Sequence, residues 1–150
     1  MNYDELISEA EQIGLIVKEK PLQSADGRIL NNKIVIMDSL GERGKKCVLA
    51  EEIGHYLKNG GDIRDQRNTS NSRQEDRART WAYDMLIGLD GLVSAFEYGC
   101  QTKFDVAEYL DVTTAFLDDA LKKYKERYGI VVKYKEYFIY FYPCLAVLKK

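Results

Sequence analysis

Histidine is nearly missing from this chain: His55 is the only one in 150 residues. A metal centre of several imidazoles is thereby excluded, and any such site must draw on carboxylates or thiols. Cysteine is sparse and odd in number. Cys47, Cys100 and Cys144 are scattered, with no C-x-x-C, and read as reduced thiols of a cytosolic protein rather than a disulfide framework. Charge of one sign is also lacking: 22 basic residues face 24 acidic ones, for a net charge of -2. No global field draws the chain to nucleic acid or anionic lipid. The longest apolar run, Tyr137 to Leu148, is interrupted by Pro143. It falls short of the roughly 20 residues a membrane helix needs. The opening "MNYDELISEAEQIG" is acidic and amphipathic, without the basic start and apolar run of a signal peptide. A cytoplasmic protein with no membrane partner is expected, and no repeat or low-complexity segment complicates the reading.

What remains is ordinary for a soluble domain, with 45% apolar and 31% charged residues. The length suits one domain with its own core. Tyr3 to Ile13 has helical spacing, with Leu6, Ile7, Ala10 and Ile13 on one face and Gly14 as its stop. "LIVKEK" reads as a strand. "GRILNNKIVIM" reads as a hairpin turning at Asn31-Asn32. Ser39 to Glu42 has the capping-box pattern and opens a helix that stops at Asn59-Gly60-Gly61. Gly60 to Asn71 reads as a mobile polar loop. A second helix is expected from about Arg73 to Ile87, with Trp81, Ala82, Met85 and Leu86 near its inner face. Two or three shorter helices reach Tyr128, and "IVVKYKEYFIYFYP" ends the chain as one or two strands. The order predicts an α+β fold in a single domain over 1–150.

One helix carries a chemical pattern. "LAEEIGHYL", Leu49 to Leu57, nearly matches the H-E-x-x-H of zinc proteases. Glu52 and His55 stand in place, while Glu51 occupies the first histidine's position. Residues four apart on a helix lie about 40° apart around the axis and about 6 Å along it. Glu51 and His55 therefore share a face and can converge on one ion. Glu52 lies about 100° further round, where it can serve as general base without being a ligand. Gly54 costs a helix roughly 1 kcal/mol against alanine. Close approach of another backbone, or of a substrate, would explain it. Catalytic zinc usually takes three protein ligands. Glu75 is the next good candidate, 75 − 55 = 20 residues past His55 near the start of the following helix.

These parts together resemble the ImmA/IrrE family of metallo-endopeptidases. The resemblance rests on "CVLAEEIGHYL", on E-x-x-A-x-x-W-A-x-x-M-L from Glu75 to Leu86, and on the lead-in "DELISEAEQIGLIVKEKPL". It covers most of residues 3 to 90 and extends more loosely into the later helices. It implies a zincin-like fold: a small β-sheet, an active-site helix pair and a helical C-terminal half. The catalytic-type core would span about 1–90, with helices and terminal strands over about 91–150. It also implies that His55 and Glu75 bind zinc, that Glu52 is the base, and that the substrate is a regulatory, repressor-type protein. The E-E-[IL]-G-H-Y form suggests phage or mobile-element origin.

The match fails at Glu51. A shell of Glu51, His55 and Glu75 would be neutral around Zn²⁺, and its harder donors shift preference toward Mn²⁺ or Fe²⁺. The alternative to an enzyme is a zincin-like binding protein that docks a regulator without cutting it. Locally, Glu75 could instead close a capping box on Ser72. Cys47 reads as a buried thiol and Trp81 as a core anchor. Phe104 to Tyr124 resembles a helix-turn-helix. Its second helix would present Thr114, Asp118 and Asp119, and acidic residues repel phosphates, so nucleic acid is disfavoured and a fold-stabilising or protein-docking role preferred. A substrate would lie extended beside a sheet edge, with "KIVIM", Lys33 to Met37, as the first candidate.

Overall fold

The structure, a computed structural model, describes residues 1–59 and 69–150, excluding the side chains of 59 and 69–72. The chain divides into two compact units, Met1–Met85 and Leu86–Lys150. The architecture is α+β, as the order of patterns predicts.

The first unit opens with helix α1, Tyr3–Gln12. Asn2 and Glu5 form a reciprocal capping box at its start. Leu6 and Ala10 are fully buried, but Ile13 is largely outside the core. The chain turns at Gly14, whose φ of +90° is costly for any residue with a Cβ. Strands β1 (Ile16–Lys20), β2 (Gly27–Leu30) and β3 (Lys33–Met37) follow. Asn31 makes the hairpin turn at φ +57°. The sheet order is β1-β3-β2, with β1 parallel and β2 antiparallel to β3. This corrects one expectation. "KIVIM" is the middle strand, paired on both sides, so the edges are β1 and β2. Ile34 and Ile36 are fully buried on its inner face, against which α2 packs.

Helix α2, Glu42–Asn59, begins after Ser39, so the expected Ser39–Glu42 capping box does not start it. Helix α3, Thr69–Leu86, starts earlier than Arg73. Of the loop expected over 60–71, residues 60–68 lie outside the described residues and 69–71 already belong to α3. Ala78, Ala82, Tyr83 and Leu86 are buried on α3. Tyr83 takes the place expected for Met85, which is exposed, and Trp81 is half-buried.

The second unit holds α4 (Gly88–Tyr98), α5 (Lys103–Leu110) and α6 (Thr114–Tyr128). Thr102 and Thr113 cap α5 and α6 through their hydroxyls. The short connection between these two helices gives the helix-turn-helix outline, with Ala107, Val112, Phe116 and Leu117 buried between them. Two strands form in the stretch expected to hold one or two, and a third follows it. They are β4 (Val131–Tyr134), β5 (Tyr137–Tyr140) and β6 (Ala146–Lys149), an antiparallel meander in chain order. The run "YFIYFYPCLAVL" breaks at Pro143 because proline has no N–H for a ladder, so the chain reverses there and returns as β6. Among the described residues, no helix is long and apolar enough to cross a membrane.

Candidate active site

The site begins with a glycine. A Cβ on Gly54 would collide with the carbonyl oxygen of Ala78 and lie 3.1 and 3.2 Å from that residue's carbonyl carbon and Cα. So α2 meets α3 backbone to side-chain-free backbone, and of the two expected reasons for Gly54 the structure selects the approach of a neighbouring helix. The residue after Gly54 is His55, and Glu75 lies one turn before Ala78. The close crossing therefore brings these two side chains together. His55 Nε2 lies 3.3 Å from Glu75 Oε2.

The imidazole is buried and the Glu75 side chain is partly covered. Their facing atoms lack the alignment of a hydrogen bond, since Glu75 Oε2 is buried without a hydrogen-bond partner among the described residues. His55 Nδ1 is in the same condition. A buried polar atom left unsatisfied costs about 1–3 kcal/mol. Glu75 Oε2 faces His55 Nε2, while the unsatisfied Nδ1 lies on the other side of the ring, so each is open to a further partner of its own. The other oxygen, Glu75 Oε1, lies 3.4 Å from an Arg79 guanidinium nitrogen, one turn on. Helix α3 starts at Thr69, so Glu75 lies in its second turn and does not serve as the third residue of a helix capped at Ser72.

Electrostatics follow from this packing. Burial opposes charge on His55, but the carboxylates of Glu75, Glu52 and Glu51 outweigh it and hold its pKa above the ordinary value. The contact with His55, helped by Arg79, holds Glu75 below its ordinary value against the cost of burial. Glu52 goes the other way. Burial, reinforced by Glu51 and Glu75 and opposed by His55, pushes its pKa up to about 7. A carboxylate there can both take up and release a proton near neutral pH.

Of the four residues singled out in the sequence, His55 and Glu75 are brought into contact, with Glu52 half-buried beside them. Glu51 is half-buried on α2. Among the described residues, no group of three or more His, Cys, Asp or Glu is arranged to hold a metal ion. Two donors fit a divalent cation: an imidazole nitrogen and a carboxylate oxygen that converge without bonding each other. Cys47 is buried and forms no disulfide, as expected of a small core residue.

Two contributors were not legible beforehand. Gly27, the first residue of β2, sits directly on α2: a Cβ there would strike Val48 Cγ1 and lie 3.4 Å from Glu52 Cγ. Its only signal was a glycine opening a strand. Arg79 was discoverable from its i,i+4 spacing to Glu75.

A histidine and a glutamate brought together by a close helix pair, beside a half-buried carboxylate poised near neutrality, are compatible with a metallopeptidase-type domain. The chain belongs to the family described as Peptidase_M78, the IrrE N-terminal-like domain, which matches residues 10–122. No curated protein matches it. The family implies a divalent metal, usually zinc, and a protein substrate.

Proposed function

We propose that this chain is a metal-dependent endopeptidase that cuts a regulatory, repressor-type protein, and that its form of the motif is that of phage or mobile elements. The observation that carries the reading is the meeting of His55 Nε2 and Glu75 Oε2 at 3.3 Å with that oxygen otherwise unsatisfied. His55, Glu75 and Glu51 would hold the cation, zinc in the first instance, with Mn²⁺ or Fe²⁺ suited to so carboxylate-rich a set. When bound, it supplies Lewis acidity to the scissile carbonyl.

The protein's own groups do the rest. Glu52 takes a proton from water as its oxygen attacks the carbonyl carbon. It then delivers that proton to the departing amine nitrogen as the C–N bond breaks. A pKa of about 7 suits both halves of that exchange. An extended substrate would add to β2 rather than to β3. The Met37 N–H bonds to the Asp26 carbonyl, and the alternation of an antiparallel ladder then turns the Gly27 and Ile29 N–H groups to the open side. Gly27 also stands against Glu52, so a strand added there would run past the base.

The rival reading is a binding protein that grips the regulator without cutting it. It is favoured by Glu51 at the first-histidine position and by the lack of a three-ligand group among the described residues. Metal content of tag-free protein, measured by elemental mass spectrometry, separates the two. Wild type should carry near-stoichiometric metal, and His55→Ala and Glu75→Ala should lose it. Glu52→Gln should keep the metal and lose hydrolysis, and Ile29→Pro should keep the metal and process substrate poorly. Wild type that takes up no zinc or manganese sinks the enzyme reading and leaves the binding protein.

A further inference from the structure

The first sheet has two faces of opposite character. Its inner face carries Val17, Glu19, Gly27, Ile29, Ile34 and Ile36, set by the register of the three strands. The outer face carries the alternate residues in cross-strand rows. Ile16, Lys33 and Leu30 form one row, Lys18, Val35 and Arg28 the next, and Lys20 pairs with Met37. Four of these are cations and none is a carboxylate. Lys18, Lys20, Arg28 and Lys33 are all exposed, and none makes an ion pair with a described residue. The sheet's one acid, Glu19, points inward to Tyr3 and Lys45. Neighbouring strands lie about 4.8 Å apart, so Lys18 and Arg28 flank Val35 across about 10 Å. That is close to the screening length at physiological salt, about 8 Å, and the four fields overlap. The chain as a whole is slightly acidic, at -2, so this local excess is not a by-product of composition.

Between the cations stand apolar side chains. Leu30 is 61% exposed and Ile16 43%, with Val35 and Met37 half-buried between strands. We propose that this outer face of β1-β3-β2 docks an acidic amphipathic segment of a partner protein, whose carboxylates meet the four cations while its apolar side chains cover Ile16, Leu30, Val35 and Met37. The mixture argues for protein over nucleic acid. Phosphate backbones would satisfy the cations but leave the apolar rows uncovered, and the face offers no aromatic ring on which a base could stack. The area is that of a few strands of four or five residues, small for a stable interface, so contact should be transient. The inference stands apart from cleavage: an enzyme and a non-cutting binder could both use such a face to collect their partner.

The test is a titration of the isotope-labelled full chain, followed by amide NMR shifts. The probe is a synthetic helix-forming peptide of about 16 residues with leucines at i, i+3 and i+4 and glutamates elsewhere. Shifts confined to β1, β2 and β3, with a dissociation constant on the order of 10⁻⁴ M, are expected for so small a face. Lys18→Glu with Lys33→Glu should weaken binding about tenfold or more, while Lys18→Arg with Lys33→Arg should keep it. Equal binding of a scrambled peptide of the same composition, or no shifts on these strands at millimolar peptide, overturns the proposal. So does tighter binding of a short DNA duplex to the same residues, which would make the partner a nucleic acid. Sedimentation showing a dimer that the double charge reversal dissociates would assign the face to a second copy and overturn it equally.

Discussion

Each unit contains a glycine pressed into a helix contact and a carboxylate held by a tyrosine and a lysine, yet the two units use these devices at different depths. In the first unit, Gly54 abuts the backbone of Ala78. In the second, a Cβ on Gly91 would meet side-chain tips, Leu110 Cδ2 at 3.3 Å and Ile87 Cγ2 at 4.0 Å. Glu19 accepts from Tyr3 at 2.9 Å and Lys45 at 2.7 Å, and Tyr3 is buried. Asp90 accepts from Tyr134 at 2.6 Å and Lys135 at 3.1 Å, out on the surface. Side-chain tips can yield and backbone cannot, and water competes for exposed ion pairs. The unit that carries His55, Glu75 and Glu52 is thus fixed at the level of its backbone, where a displacement would part the site. Functional geometry needs that kind of support, because misplacement by about 1 Å can cost a hundredfold in rate.

The largest effect should come from Gly54→Ala. Alanine favours a helix by roughly 1 kcal/mol. Against that, overpacking costs about 1–3 kcal/mol, and here the neighbour is a carbonyl that can move only if α3 moves. Denaturant unfolding should show a net loss of up to about 2 kcal/mol. Elemental analysis should show metal lost as well, since the same shift separates His55 from Glu75. A Gly54→Ala variant as stable and as metal-loaded as wild type would break the comparison at its root.

This contact also shows where the sequence was legible and where it was not. The meeting of His55 with Glu75 could be anticipated because the ligand and base roles proposed for Glu52, His55 and Glu75 constrain residue type and spacing. Gly54 could be flagged because a helix has a reason to avoid it, though the sequence could not choose between a helix and a substrate as its neighbour. The hairpin at Asn31 was readable from turn chemistry. The order of the strands was not: a parallel pair depends on a crossover whose path no local pattern encodes, so "KIVIM" looked as much like an edge as β2. Met85 and Tyr83 are two residues apart on α3, and helical spacing alone assigned burial to the wrong one. The charge of the first sheet's outer face emerged only once register set Lys18, Arg28 and Lys33 side by side. In the sequence they are scattered over three separate segments.

Gly91→Ala sharpens the same comparison from the other side. The helix gains up to about 1 kcal/mol from losing glycine. Leu110 must give way by a few tenths of an ångström, and its side chain has the freedom to do so. Unfolding should show a change within about 0.5 kcal/mol, in the stabilising direction. A loss as large as that of Gly54→Ala would show that Leu110 is held as rigidly as a backbone, and the distinction between the units would fall.

The smallest effect belongs to the carboxylates, and pH reads it. The bonds from Lys45 and then Tyr3 hold Glu19 below its ordinary pKa. A lowered folded-state value means that the contribution is fully present above the unfolded value, about pH 4.3. It fades as pH falls below that toward the folded value. The Glu19 side chain is 36% exposed, so solvent screens the pair and its worth is about 0.5 kcal/mol. Glu19→Gln should therefore lose about 0.5 kcal/mol at neutral pH, with wild type and variant converging in acid. Asp90 is also lowered, by Tyr134 and Lys135, but it stands in open solvent, and Asp90→Asn should leave unfolding unchanged at neutral pH. The contrast turns on Tyr3: its buried ring fixes the hydroxyl that meets Glu19, so that bond forms without the ordering cost that Tyr134 bears at the surface. If Asp90→Asn cost as much as Glu19→Gln, depth would not be what separates the two grips.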